Sequence, residues 1–183
     1  EGPVDPTVAV APTLDESDPY LVVQQSTVKI SYLTANGGYF GSGVIVGDGY
    51  FVVTNAHVVS SATGNVQVAH HQESGPSVVS DGSIIYVDEV YDLALIRIVD
   101  LLGPPVKASF GVPDLGEELI IGGFPAMGGE TLTATRGSVA GFEFDGLLIK
   151  FDGEIGKGNS GGPALNKKGQ LVGIVTYGVS DET

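Results

Sequence analysis

The chain has 183 residues, 42% of them hydrophobic and only 16% charged; that is enough for one sizeable core or two small halves sharing one, and unlike a disordered chain. Eight basic against 22 acidic side chains leave a formal charge of −14, which repels phosphate backbones and disfavours nucleic acid as a partner. Cysteine is absent, which excludes disulfides, thiolate chemistry and Cys-based zinc sites, and no apolar run approaches the roughly 18 residues of a membrane span.

Residues 1–19 hold four prolines and five acids with no base, and predict an extended acidic tail, either without further role or a tether left by a lost anchor or leader. Because the first residue is Glu1, removal of an upstream segment is expected. From Val22 onward the pattern predicts strands at 26–33, 39–46, 50–54, 65–70, 78–87, 93–99, 117–122, 131–140, 146–151 and 170–176. These stretches are rich in Val, Ile, Tyr and Thr and are parted by Gly, Asn, Asp and Pro. Asn36-Gly37-Gly38 and Gly47-Asp48-Gly49 read as hairpin turns. No window longer than about a turn keeps a helical period. Residues 101–112, with Gly103-Pro104-Pro105, form the best internal linker. The prediction is an all-β chain in two halves.

There are three histidines. His57 follows the apolar stretch Tyr50–Val53 and could be a structural histidine or a base. His70 and His71 are adjacent and precede a polar loop, so both are expected to be solvated. No metal-ligand spacing is present, and no metal or other cofactor is expected. Asp92 opens the apolar run Leu93–Ile98, where a carboxylate must be paired or hydrogen-bonded. Its partner is either Arg97 or a distant histidine; Arg97 lies an odd number of residues on, hence on the opposite strand face, which weakens that pairing. Gly156-Lys157-Gly158-Asn159-Ser160-Gly161-Gly162-Pro163 is either a plain Gly-rich turn or a loop in which N–H groups approach a ligand closely. The string also fits G-x-S-x-G, but an α/β-hydrolase elbow needs a helix where Pro163 stands and a histidine after the serine, and none follows His71.

In chain order the candidates run His57, Asp92, Ser160, the order of a chymotrypsin-type triad. A serine hydroxyl needs an adjacent base to act as a nucleophile. An imidazole supplies that base, a carboxylate fixes its tautomer, and the N–H groups of Gly158 and Ser160, flanking Asn159, would form an oxyanion hole.

These residues resemble the trypsin/chymotrypsin-fold serine proteases, and within them the bacterial HtrA/Deg-like branch. The resemblance rests on Gly41-Ser42-Gly43-Val44-Ile45-Val46, Thr54-Asn55-Ala56-His57-Val58-Val59, Asp92-Leu93-Ala94-Leu95-Ile96, Gly158-Asn159-Ser160-Gly161-Gly162-Pro163-Ala164-Leu165-Asn166 and Gly169-Gln170-Leu171-Val172-Gly173-Ile174-Val175. It implies two six-stranded antiparallel β-barrels with the active site between them, endopeptidase activity and no cofactor. A protease domain over 20–183 is then expected, with one barrel at about 20–101, a linker at about 102–112 and a second barrel at about 113–183.

The chain also departs from the family. Asn159 stands where animal digestive members carry the acid that pairs with a freed N-terminus, so activation by clipping is not expected. The chain ends 23 residues after Ser160, short of a PDZ domain and of the family's closing strand and helix. By motif register Glu154 falls at the base of the primary specificity pocket and Ile155 at the position that shapes a small apolar one. Basic and small aliphatic specificity are therefore both open. Thr176-Tyr177-Gly178 matches the family's substrate-lining strand, which would bind the peptide backbone. Peptide or unfolded-protein substrates, a monomer, an extracytoplasmic location (secreted, periplasmic or cell-envelope) and a possible upstream anchor or downstream domain outside this chain are expected. The competing reading is a catalytically silent, protease-like binding or chaperone module.

Overall fold

The computed structural model describes residues 10–72, 76–125 and 131–176. Half-buried alternation of apolar residues gives a little under half of the described residues to antiparallel strands. Helix α1 (Pro19–Ser26) comes first, followed by β1 (Thr27–Thr34), β2 (Gly37–Val46), β3 (Phe51–Thr54), the four-residue α2 (Ala56–Val59), β4 (Val66–His70), β5 (Val78–Asp88) and β6 (Leu93–Ile98). These six strands close into a barrel in the order β1-β2-β3-β6-β5-β4. Val28, Ile30, Ile45, Val52, Val68, Ile96 and Ile98 fill its interior.

The second half holds β7 (Glu118–Gly123), β8 (Thr133–Glu143), β9 (Leu148–Phe151), β10 (Pro163–Leu165) and β11 (Leu171–Ile174). They form a curled sheet in the order β11-β10-β7-β8-β9. The expected all-β, two-barrel architecture of chymotrypsin type is therefore present, with five strands of the second sheet among the described residues.

All ten predicted strands occur within a few residues of their expected ends, and four elements were not foreseen: α1, the short α2, a 3-10 turn at Phe144–Gly146 and β10. The three-residue β10 lies between Gly162 and Asn166. The helix α1 carries the signature of a helix start: Asp18 accepts a hydrogen bond from the Tyr20 N–H at 2.9 Å, and Pro19 takes the first helical position, where its missing N–H costs nothing. Most of residues 10–18 are exposed, with a few contacts to the body. Leu14 packs on the core, and Glu16 pairs with Lys107 at 2.6 Å.

Two features fix the halves together. Val22 and Val23 of α1 pack with Val44, Val106, Ile120 and Leu165, a core cluster drawn from both sheets and the linker. The linker itself bonds to both: Val106 N–H donates to Ile45 C=O at 2.9 Å, and Leu171 N–H donates to Lys107 C=O at 2.8 Å.

Candidate active site

Three separate stretches meet between the sheets. His57 is carried by α2 and Asp92 by the turn just before β6. Asp92 has φ +53°, an uncommon left-handed value for a non-glycine residue and of the kind often concentrated at functional sites. Its neighbours hold it there. Asn55 is the N-cap residue of α2 but makes no capping bond, and its Nδ2 donates to Asp92 C=O at 2.9 Å. The Asp92 carboxylate takes over the cap: Oδ1 accepts the His57 N–H at 3.0 Å, satisfying a donor at the helix start. Oδ2 lies 2.8 Å from His57 Nδ1. An ionised carboxylate can only accept, so Nδ1 carries the proton and Nε2 is left as the basic nitrogen. The expected pairing of Asp92 with a distant histidine rather than with Arg97 is what the geometry gives.

Oδ2 also accepts from Thr176 Oγ1 at 3.1 Å. Thr176 was expected as a substrate-lining residue, and its contact with the carboxylate was not foreseen. Tyr177 and Gly178, expected beside it, lie outside the described residues.

Ser160 sits on the loop before β10, nearly buried at 6% exposure. It faces the same cleft as His57, together with Tyr39, Phe40, Val58, Lys157 and Gly158. The glycines around it have a more local reason than the one expected. A side chain at Gly161 would overlap Ser42 C=O and Thr54 Oγ1, and one at Gly162 would overlap Gly122 C=O. The backbones of β2 and β7 press directly on the loop, and only glycine fits. Gly158 has φ +102°, a region that L side chains avoid. The Asn159 N–H donates to Gly156 C=O at 3.1 Å, whereas those of Gly158 and Ser160 meet no acceptor among the described residues. The Asn159 side chain is buried, with no partner for Oδ1 among the described residues.

Ser42 is the positioning residue that sequence reasoning did not single out. Its N–H donates to Ser160 C=O at 2.9 Å and its Oγ donates to Gly158 C=O at 2.7 Å. That same Oγ accepts the Phe124 N–H at 2.9 Å, so one side chain joins β2, the loop of Ser160 and the end of β7. The only signal for it was its place in Gly41-Ser42-Gly43.

Of the expected specificity residues, Glu154 is exposed. Ile155 is turned into an apolar cavity shared with Ile121, Phe151, Ala164, Val175 and Thr176. His70 corrects the expectation of a solvated side chain. It is 8% exposed, and its Nε2–H donates to Gln24 C=O at 3.1 Å, while Nδ1 is buried with no partner among the described residues. Burial pushes its imidazole below the ordinary 6.5, against smaller opposing effects of the Gln25 and Gln24 carbonyls. Among the described residues no group of three or more His, Asp and Glu gathers as metal ligands would.

Comparison with known proteins agrees with this geometry. The family model of the trypsin-like peptidase domain matches residues 41–174. The chain is 34% identical over 154 residues to the serine protease DegP homolog of Plasmodium falciparum, covering 77% of this chain and 17% of that protein. It is 35% identical over 146 residues to the magnetosome formation protease MamE of Magnetospirillum gryphiswaldense, covering 74% and 18%. The chain thus spans under a fifth of the length of either relative. Among solved structures it is similar to the serine endoprotease from Yersinia pestis, with a TM-score of 0.73 and 26% identity over 86% of this chain and 57% of that one.

Proposed function

Because the chain belongs to the trypsin-like peptidase family, in its HtrA/Deg-like branch, we propose that it is a serine endopeptidase working through an acyl-enzyme, with Ser160 as nucleophile, His57 as general base and Asp92 as the group that orients the base. The observation that carries this reading is the 2.8 Å contact between His57 Nδ1 and Asp92 Oδ2, with Ser160 in the cleft that the same imidazole lines. With the proton on Nδ1, Nε2 accepts the Ser160 proton as Oγ attacks the scissile carbonyl. The oxyanion that forms is met by the N–H groups of Gly158 and Ser160, and a single donor of this kind is worth about 10²–10³ in rate. The imidazolium, steadied by Asp92, then gives its proton to the leaving amine. Water repeats the sequence on the acyl-enzyme and releases the acid.

The substrate's acyl side runs along Thr176-Tyr177-Gly178 in this reading, and Ile155 selects a small apolar residue next to the scissile bond. The exposure of Glu154 and the apolar walls around Ile155 support that choice over basic specificity. Residues 20–183 form the protease domain behind a tether at 1–19, acting on peptides or unfolded proteins as a monomer outside the cytoplasm. No helix among the described residues is long and apolar enough to cross a membrane.

Intact-mass measurement after treatment with a fluorophosphonate probe tests the proposal. One adduct is expected on the wild type and none on Ser160→Ala, with casein hydrolysis lost in the same variant. Folded wild type that takes up no probe and cuts no casein would overturn it.

A further inference from the structure

Strands β2 and β3 pair Val46 with Phe51, Ile45 with Val52 and Val44 with Val53, and the ladder stops there. Continued by two residues, it would set Ser42 opposite Asn55. The chain turns off instead: Thr54 goes on to pair with Ala94 of β6, and Asn55 gives its side chain to Asp92. Two other groups take the place of a strand beside Ser42. Ser160 C=O accepts the Ser42 N–H at 2.9 Å, and Thr54 Oγ1 donates to Ser42 C=O at 2.7 Å. Thr54 is fully buried, so its hydroxyl has no water to turn to, and this carbonyl is the partner it has.

The hydroxyl therefore closes a fork. One prong, β2, carries the loop of Ser160 through the Ser42 N–H. The other, β3, leads to the base, since His57 follows Thr54 by three residues. Gly161 lies between the prongs, where a side chain would overlap both Ser42 C=O and Thr54 Oγ1. Helix α2 rests on the same stretch of β2: Val58, the residue after His57, fills the space over Gly41, and a Cβ there would stand 2.7 Å from its Cγ1. Nucleophile and base are thus spaced through two bonds, from Ser160 C=O to Ser42 N–H and from Ser42 C=O to Thr54 Oγ1.

We propose that Thr54 is a positioning residue for the reaction: its hydroxyl, acting through Ser42 and Gly161, sets the approach of His57 to Ser160. The proposal rests on the endopeptidase reading. A hydroxyl that only completed the core would change stability and leave the reactivity of the folded protein alone.

The test is saturation kinetics of fluorophosphonate labelling on folded protein, which separates binding of the probe from the rate of attack. Thr54→Val keeps the shape and removes the donor. Its saturating rate is expected to fall about three- to tenfold, the range for one neutral hydrogen bond, while the half-saturating probe concentration moves less than about twofold. Thr54→Ser keeps the donor and should restore the rate. The low-field proton resonance of His57 Nδ1 should persist in all three proteins, because Asp92 still holds the ring. If Thr54→Val does not fold, Thr54→Ala is read in its place. A water can then satisfy the Ser42 carbonyl but is not fixed to β3, so the same fall is expected. An unchanged saturating rate without the hydroxyl overturns the proposal. So does a Thr54→Ser as slow as Thr54→Val, which would assign the effect to packing of the methyl group. Loss of the resonance together with the rate also overturns it, by showing that the whole site has come apart. Wild type that takes up no probe overturns the endopeptidase reading and the role of Thr54 with it.

Discussion

Asp92 accepts three hydrogen bonds, from the His57 N–H, His57 Nδ1 and Thr176 Oγ1, and the third ties its carboxylate to the second sheet. Removing the hydroxyl in Thr176→Val leaves the Oδ2 lone pair short of a donor and the imidazole less firmly oriented. Bonds to charged acceptors are worth about 1.5–3 kcal/mol, so the rate of fluorophosphonate labelling is expected to fall about tenfold or more. Thr176→Ser should recover most of it, and unchanged labelling in Thr176→Val would remove Thr176 from the positioning of Asp92. The candidate triad was legible because histidine is scarce, with three in the chain, and because Asp92 heads an apolar run and Ser160 lies in a glycine-rich string, in the order of a triad. Thr176 was legible as part of a strand but not as a partner of Asp92, because a lone hydroxyl 84 residues away carries no pattern. His70 was misread for a related reason. Its burial is imposed by α1 and by Gly103, where a side chain would come within 2.5 Å of Gln25 C=O, and neither neighbour is near it in sequence.

At the scale of elements, strands were legible wherever one face meets the core, since that alone writes a period of two into the sequence. Helix α1 escaped because its apolar residues Leu21, Val22 and Val23 are consecutive and the third position on its buried face is Ser26, which leaves no hydrophobic period to read, and because its stability comes from packing between the sheets. Its cap at Asp18-Pro19 was the available signal. How β2 anchors the catalytic loop could not be read, because Ser42 acts across 116 residues on Gly158. Ser42→Ala leaves the Gly158 C=O and the buried Phe124 N–H without their partner. A loss of about 1–3 kcal/mol in urea unfolding is expected for a stranded buried group. The labelling rate should fall further than stability alone explains, since Gly158 is then freer to turn. Equal labelling of the folded fractions would contradict that coupling. The contact of α1 with His70 gives a pH dependence. The imidazole is held below 6.5 in the folded chain, so below that pH the unfolded chain binds a proton that the folded one refuses. Stability is full above about pH 6.5 and declines as pH falls toward the folded value. The urea midpoint of the wild type should therefore drop between pH 8 and pH 5.5 by more than that of His70→Gln. Parallel curves for the two proteins would show that His70 does not carry the effect.

On the scale of the whole molecule, the first barrel has a core of its own, and the cluster of Val22, Val23, Val44, Val106, Ile120 and Leu165 takes residues from α1, both sheets and the linker, so the two halves share a second core. The two-part plan was legible from Gly103-Pro104-Pro105 and the run of strands on either side. This shared core was not, because its members come from five segments, each short and ordinary by itself. Charge works against the same compactness. The described ion pairs lie on exposed side chains, Lys107 with Glu16 and Lys150 with Glu143 at 2.6 Å among them, and such pairs contribute about 0–1 kcal/mol each. A surplus of 14 acids repels over a longer range, and the screening length shrinks from about 30 Å at 0.01 M salt to about 10 Å at 0.1 M. Screening should weaken the net repulsion more than it weakens the close pairs, because the pairs are short and the repulsion is long. The thermal midpoint is therefore expected to rise by a few degrees between about 0.01 M and 0.3 M sodium chloride. The rise should come as one transition, with fluorophosphonate labelling lost at the temperature where the strands melt, since the cleft lies between halves that share a core. A midpoint that falls with salt would show that close ion pairs outweigh the acidic surplus. Labelling lost well before the strands melt would show that the catalytic loop detaches from β2 and β7 while both sheets persist.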